Sequence, residues 1–103
     1  MRNERRKNMF PGNRLVTSNV LREVPVGWQM MMWTFVDLLP IEQDYLQVFE
    51  LSEVDGSQKI VHTQECPTYK KEYTFPPNFR TVTGRIYIIN DETHATMLFA
   101  HEY

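Results

Sequence analysis

One cysteine, Cys66, and four scattered glycines are all that this 103-residue chain has of either residue. A lone cysteine excludes an internal disulfide and suits a reducing compartment. Glycines at 12, 27, 56 and 84 exclude a glycine-rich phosphate cradle, which needs them clustered. No apolar run approaches the roughly 18 residues of a membrane span, so no membrane partner is expected. The start, MRNERRKNMF, is basic but has no apolar stretch behind it. That is not the pattern of a secretory leader, and a cytoplasmic protein is expected. Internal repeats and low-complexity linkers are also missing.

What is present belongs to a globular chain: 42% hydrophobic and 13% aromatic residues, at a length that fits one domain. The net charge of -2 hides an asymmetry. Residues 1–22 carry six bases (Arg2, Arg5, Arg6, Lys7, Arg14, Arg22) against Glu4 alone, a balance of +5; the rest carries five bases against twelve acids, a balance of -7. Pro11-Gly12-Asn13 reads as a break, so residues 1–13 are expected to form a basic flexible arm and residues 14–103 a single domain. The arm is either a solvated terminus or a contact for a phosphate backbone or an acidic partner.

Along the domain, RLVTSNV (14–20) reads as a short first strand and REVPVGWQMMMWTFVDLL (22–39) as a helix. Pro25 suits a first turn, where its missing N–H costs nothing. Trp28, Met31, Met32, Phe35, Val36 and Leu39 recur at three- and four-residue steps and form an apolar stripe. Gln29, Thr34 and Asp37 fall on the wetter side, and Pro40 closes the helix. Beyond it the pattern is that of strands. DYLQVFELSEV runs into Asp55-Gly56, a hairpin signal, and SQKIVHTQE returns. TYKKEYTF reads as an edge strand, RTVTGRIYIIN as a further strand with Ile86 and Ile88 on one face, and HATMLFAHEY as the last. The expected fold is α+β, one amphipathic helix packed on an antiparallel sheet of about five strands. With three methionines in a row, at least one leaves the apolar stripe. Met30 and Trp33 lie off it, as the margin of a wide core face or as a contact surface for a partner.

Reactive chemistry finds little support. His62, Cys66, His94 and His101 are the right types for zinc. However, residues 62 and 66 on one strand lie about 13 Å apart, and His94 and His101 fall on opposite faces of a regular strand. Cys66 reads better as a small hydrophobe than as a nucleophile. Asp44 with Glu42, and Asp91 with Glu92, sit in turn-like stretches rather than in a hydrolytic pair. An enzyme is not expected, and no cofactor is expected beyond the outside case of zinc. For nucleic acid, Arg2, Arg5, Arg6 and Lys7 could neutralise phosphates, and Tyr69, Tyr73 and Phe75 interleave with Lys70 and Lys71; the acidic body opposes this. Protein binding is the leading class: Glu42, Asp44, Glu50, Glu53 and Asp55 could dock on a basic groove such as the nucleic-acid channel of a host nuclease.

At DYLQVFELSE (44–53), QKIVHTQECPTYKKEY (58–73) and IYIINDETHATMLFAHEY (86–103), together with the helix, the chain resembles the small domain-of-unknown-function family 960 of Firmicutes and their phages. The resemblance spans roughly residues 14–103, leaves out the arm, and carries no catalytic residue across. It implies a bacterial or phage setting. Small phage proteins of this size often act as inhibitors or adaptors on host machinery, anti-CRISPR proteins among them. The expected function is therefore a non-catalytic phage or mobile-element protein that binds a host macromolecule, with an RNA-guided nuclease as one candidate partner. The alternative is a small nucleic-acid-associated accessory protein, with zinc in its outside form.

Overall fold

Thr17 decides how the chain starts. The computed structural model describes residues 12–77 and 79–103, and the first strand, β1, is only Arg14–Val16. At Thr17 the side-chain hydroxyl accepts from the Val20 N–H at 3.3 Å and caps a short helix, α1 (Ser18–Glu23). A threonine hydroxyl offered to a helix's free N–H groups competes well with strand extension. The expected strand over 14–20 therefore ends at Val16, and a helix absent from the expectation follows it.

Pro25 divides α1 from the main helix, α2 (Val26–Asp37), and is its N-cap residue in extended geometry. That break leaves the last carbonyls of α1 without helical partners. Gln29 supplies a missing donor: its amide donates to the Val24 carbonyl at 2.7 Å, with a longer contact of 3.5 Å to the Val20 carbonyl, which already accepts from the Val24 N–H at 2.9 Å. Gln29 is thus buried, at 5% exposure, and not on the wetter side. Trp28, Met32, Phe35 and Val36 are buried as their spacing predicts, while Thr34 and Asp37 face water.

Five further strands follow: β2 (Leu46–Val54), β3 (Ser57–Gln64), β4 (Tyr69–Phe75), β5 (Gly84–Asn90) and β6 (Ala95–Phe99). They join β1 in one sheet ordered β1-β6-β5-β2-β3-β4. Asp55 and Gly56 have φ of 53° and 81° and turn β2 into β3. Two successive left-handed residues match the right-handed twist of a tight hairpin. Between β5 and β6, Asp91 Oδ1 accepts from the Thr93 and His94 N–H groups at 3.2 and 3.0 Å, which closes the turn.

The sheet has six strands and is mixed, a correction to the antiparallel five. β1 runs parallel to β6, Arg14 opposite Ala95 and Val16 opposite Met97. The last strand is also shorter than the expected HATMLFAHEY. Glu102 folds back to accept from the Phe99 N–H at 2.7 Å, Thr17 Oγ1 at 2.9 Å and Asn19 Nδ2 at 3.0 Å. The chain consequently leaves the sheet after Phe99 as a 3₁₀ turn, Ala100–Glu102.

One face of the sheet holds the core: Phe49 and Leu51 of β2, Ile60 of β3, Ile86 and Ile88 of β5, and Met97 and Phe99 of β6. α2 lies on this face and is touched from both edges of the sheet. Phe75 and Tyr73 of β4 pack on Trp28 and Phe35, with ring centroids 5.0 and 3.9 Å apart. From β1, the Arg14 guanidinium stands 4.8 Å over the Trp33 ring and pairs with Asp37 at 2.5 Å. The sheet therefore curves around the helix. The opposite face carries half-buried Val48, Tyr87 and Leu98, and the surface pairs Glu50–Arg85 and Glu72–Lys59.

Replacing Gln29 by leucine keeps its volume and removes the donor that closes α1. Leaving the Val24 carbonyl unpaired is expected to cost about 1–3 kcal/mol, read as a lower urea midpoint with an unchanged slope. An unchanged midpoint would show that the amide contributes nothing.

Candidate functional site

The histidines and cysteine of the outside case, a zinc site, are held apart. His62 is on β3 and His94 stands just before β6; β2 and β5 lie between. Three interstrand steps put these positions about 14 Å apart across the sheet. His62 is fully buried, whereas Cys66 is exposed in the turn after β3. His94 faces Asp91 Oδ2 at 3.0 Å and Thr93 Oγ1 at 2.9 Å, and His101 stacks on Phe99 at 5.2 Å. No group of three or more metal-ligating side chains comes together among the described residues. The set His62, Cys66, His94 and His101 is corrected accordingly.

His62 belongs instead to a buried amide chain. Its Nε2 faces Gln47 Oε1 at 2.6 Å. Gln47 Nε2 already donates to the Asp44 carbonyl at 2.9 Å and to Gln64 Oε1 at 2.6 Å. The proton therefore sits on His62 Nε2, and Nδ1 is a bare acceptor with no hydrogen-bond partner. Phe49 stacks on the ring at 4.3 Å and Tyr69 meets it edge-on. Burial pulls the His62 pKa down from 6.5 to about 4, because a charged imidazolium has no counter-charge there. Gln64 completes the chain, accepting from the Asp44 N–H and donating to the Glu42 and Pro67 carbonyls. These groups fix the two chain segments that flank β2 and β3 and offer no open surface.

The acids expected to share one docking face do not. Glu42 and Asp44 lie before β2, and Glu53 and Asp55 at its far end, separated by roughly 26 Å of strand. Asp44 caps the Tyr45 and Cys66 N–H groups, Glu50 pairs with Arg85, and Asp55 forms the hairpin turn. Of the two helix residues singled out, Met30 is 63% exposed, while Trp33 is half-buried under Arg14. Arg2, Arg5, Arg6 and Lys7 lie outside the described residues.

The concave feature is elsewhere, at the N-terminal end of α2. A pocket of about 460 Å³ is lined by Pro25, Gly27, Trp28, Met31, Phe75, Phe79 and Arg80. The Trp28 indole N–H donates to the Arg80 carbonyl at 2.8 Å, and Phe79 meets the same indole edge-on at 6.1 Å. Gln58 holds the segment that carries Phe79 and Arg80 in place: its Oε1 accepts from the Val82 N–H at 2.8 Å, and its amide donates to the Val82 carbonyl at 3.1 Å. The pocket is an apolar floor with one cation at the rim, suited to a large apolar side chain. By sequence pattern Trp28 and Met31 belong to the core stripe, Phe75 to an edge strand and Arg80 to the start of a strand that in the fold begins only at Gly84, while Phe79 carries no signal. The only local sign was Pro76-Pro77, a stiff loop next to two aromatics.

The family model described as Staphylococcal protein of unknown function (DUF960) matches residues 13–102. The chain belongs to this family. The matched span agrees with the expected 14–103 to within one residue at each end. A crystal structure of a protein of unknown function from Enterococcus faecalis is similar to this DUF960 chain, with a TM-score of 0.80 at 23% identity. The likeness covers 92% of this chain and 95% of that one and is a likeness of fold. No curated protein matches. No helix among the described residues is long and apolar enough to cross a membrane.

The His62 site generates a pH prediction. The folded pKa of about 4 lies below the unfolded 6.5, so the unfolded chain takes up the proton first as pH falls. Stability is therefore undiminished above pH 6.5 and drops between 6.5 and 4, by roughly 3 kcal/mol. Chemical denaturation of wild type and His62→Gln across that window isolates the contribution: the wild type should lose about that much more than the variant. Parallel curves would remove His62 as the cause.

Proposed function

We propose that this chain is a non-catalytic binding protein, that its contact site is the aromatic pocket at the start of α2, and that the partner is a host protein. The pocket is the observation that carries this reading. Trp28, Met31, Phe75 and Phe79 offer apolar surface in a concave setting, and Arg80 stands at the rim. Aromatic, Met and Arg side chains around a pocket are the usual anchors of protein contacts. Met30, exposed one turn along α2 from Gly27, extends the apolar surface.

Inhibition of a host nuclease is one form that such binding could take. Its acid-mimicry route loses support, because the acids near β2 are dispersed and engaged as caps and pairs. The nucleic-acid reading is weaker than protein binding for a similar reason. Tyr73 has a ring face on Phe35, Tyr69 packs edge-on to His62, and Lys59 and Lys70 share Glu72. Burial, then Tyr69, pushes the Tyr73 hydroxyl pKa up, as expected for rings turned into the fold rather than held out for bases.

Gly27 gives the test. Nothing lies within 4 Å of a Cβ built there, so Gly27→Leu fills the pocket without disturbing the core. Exchanging a helical glycine for leucine is expected to stabilise α2 by about 0.5–1 kcal/mol. In capture from a bacterial lysate, wild type should retain a stoichiometric protein that Gly27→Leu retains at least tenfold less, with no drop in the variant's melting temperature. Equal capture by both would place the contact elsewhere.

A further inference from the structure

The pocket opens beside an unpaired strand. Among the described residues, β4 is the last strand of the sheet and pairs only with β3. It is seven residues long, against three for β1 at the other edge. The outer edge of such a strand presents N–H and C=O groups with no partner. Register with β3 sets Phe75 opposite Gln58, Tyr73 opposite Ile60 and Lys71 opposite His62. Phe75, Tyr73 and Lys71 therefore share the face on which α2 lies, and Phe75 is the residue that enters the pocket wall.

Two cations beside this edge, Lys71 and Arg80, are held by no carboxylate among the described residues. Glu72 is shared by Lys59 and Lys70 on the opposite face. Lys71 lies 5.9 Å from the Tyr73 ring, and Arg80 donates to the Glu23 carbonyl at 3.4 Å. Among the described residues, neither Lys71 nor Arg80 has a carboxylate partner. Two uncompensated cations on an otherwise acidic body define the charge that would complement them.

We propose that an extended, acidic-apolar segment of a partner protein adds to the free edge of β4, with a large apolar side chain in the pocket and carboxylates against Arg80 and Lys71. The inference rests on the pocket being the contact site and adds the form of the occupant. Strand addition draws affinity from main-chain hydrogen bonds and specificity from alternate side chains. Lys71 and Phe75 are four residues apart, about 13 Å of strand, so a carboxylate and the apolar anchor at an even spacing reach both at once. Lysines on an edge strand, here Lys70 and Lys71, also work against pairing with a second copy of this chain.

The test selects nonapeptides from a random displayed library on the full chain. It then follows backbone amide exchange in β4 with the best selected peptide bound. The expected result is enrichment of sequences with one large apolar residue and acidic residues at even spacing from it, with β4 amides protected on binding. Lys71→Glu and Phe79→Ala, both exposed positions, should each weaken binding at least tenfold. Loss of affinity in Gly27→Leu with unprotected β4 amides and an unaffected Lys71→Glu would leave the pocket standing and overturn strand addition. Undiminished binding by Gly27→Leu would overturn the pocket reading and this one together. No enrichment, enrichment without acids, or a concentration-dependent dimer whose β4 amides are already protected would each overturn the proposal.

Discussion

The structure depends on how α2 is seated. A 12-residue helix alone in water is marginal, and tertiary packing of its apolar face is what holds it. Met32 and Val36 are fully enclosed, and Trp28 and Phe35 meet rings that rise from β4. On the other side, Arg14 brings β1 to Trp33 and Asp37. A sheet held to one helix from both edges must curve, and curvature leaves space where the helix begins and the edge strand ends. The pocket occupies that space, so the same packing that makes the core also makes the proposed contact site.

Buried amides do the second part of the work. Gln29 closes α1, Gln47 and Gln64 hold the chain on either side of β2 and β3, and Gln58 ties down Val82. In each case a side-chain amide, which can both donate and accept, stands in for a missing backbone partner. A buried carbonyl left without a donor costs more than the hydrogen bond gains, so these residues govern where loops can run. The consequence for function is at Gln58. Its hold on Val82 keeps Phe79 and Arg80 next to Trp28, and the pocket keeps its wall.

The acids follow the same logic. Sequence patterning presents Glu42, Asp44, Glu50, Glu53 and Asp55 as one charged region available for a partner. In the fold Asp44 satisfies two backbone N–H groups, Glu50 neutralises Arg85, and Glu102 links the end of the chain to α1. Among the described residues, Arg22, Lys71 and Arg80 have no carboxylate opposite them; Lys71 and Arg80 lie beside the pocket and β4, in segments that the sequence reads as strands. The proposed contact draws on what remains unpaired once structural needs are met.

The sequence by itself determined the family, the main helix, the hairpin at Asp55-Gly56 and the inward face of Ile86 and Ile88. The family is carried by the resemblance of whole sequence blocks, and the other three are written in local period or local turn chemistry. The tertiary structure alone decided the rest. It set β1 parallel to β6 across some eighty residues of chain, turned Thr17 into a helix cap, buried Gln29, dispersed the histidines and brought Phe79 to Trp28. Periodicity reports which side of an element is apolar. It cannot report which distant group will satisfy a polar atom or which rings will meet, because those depend on three-dimensional closure of the chain.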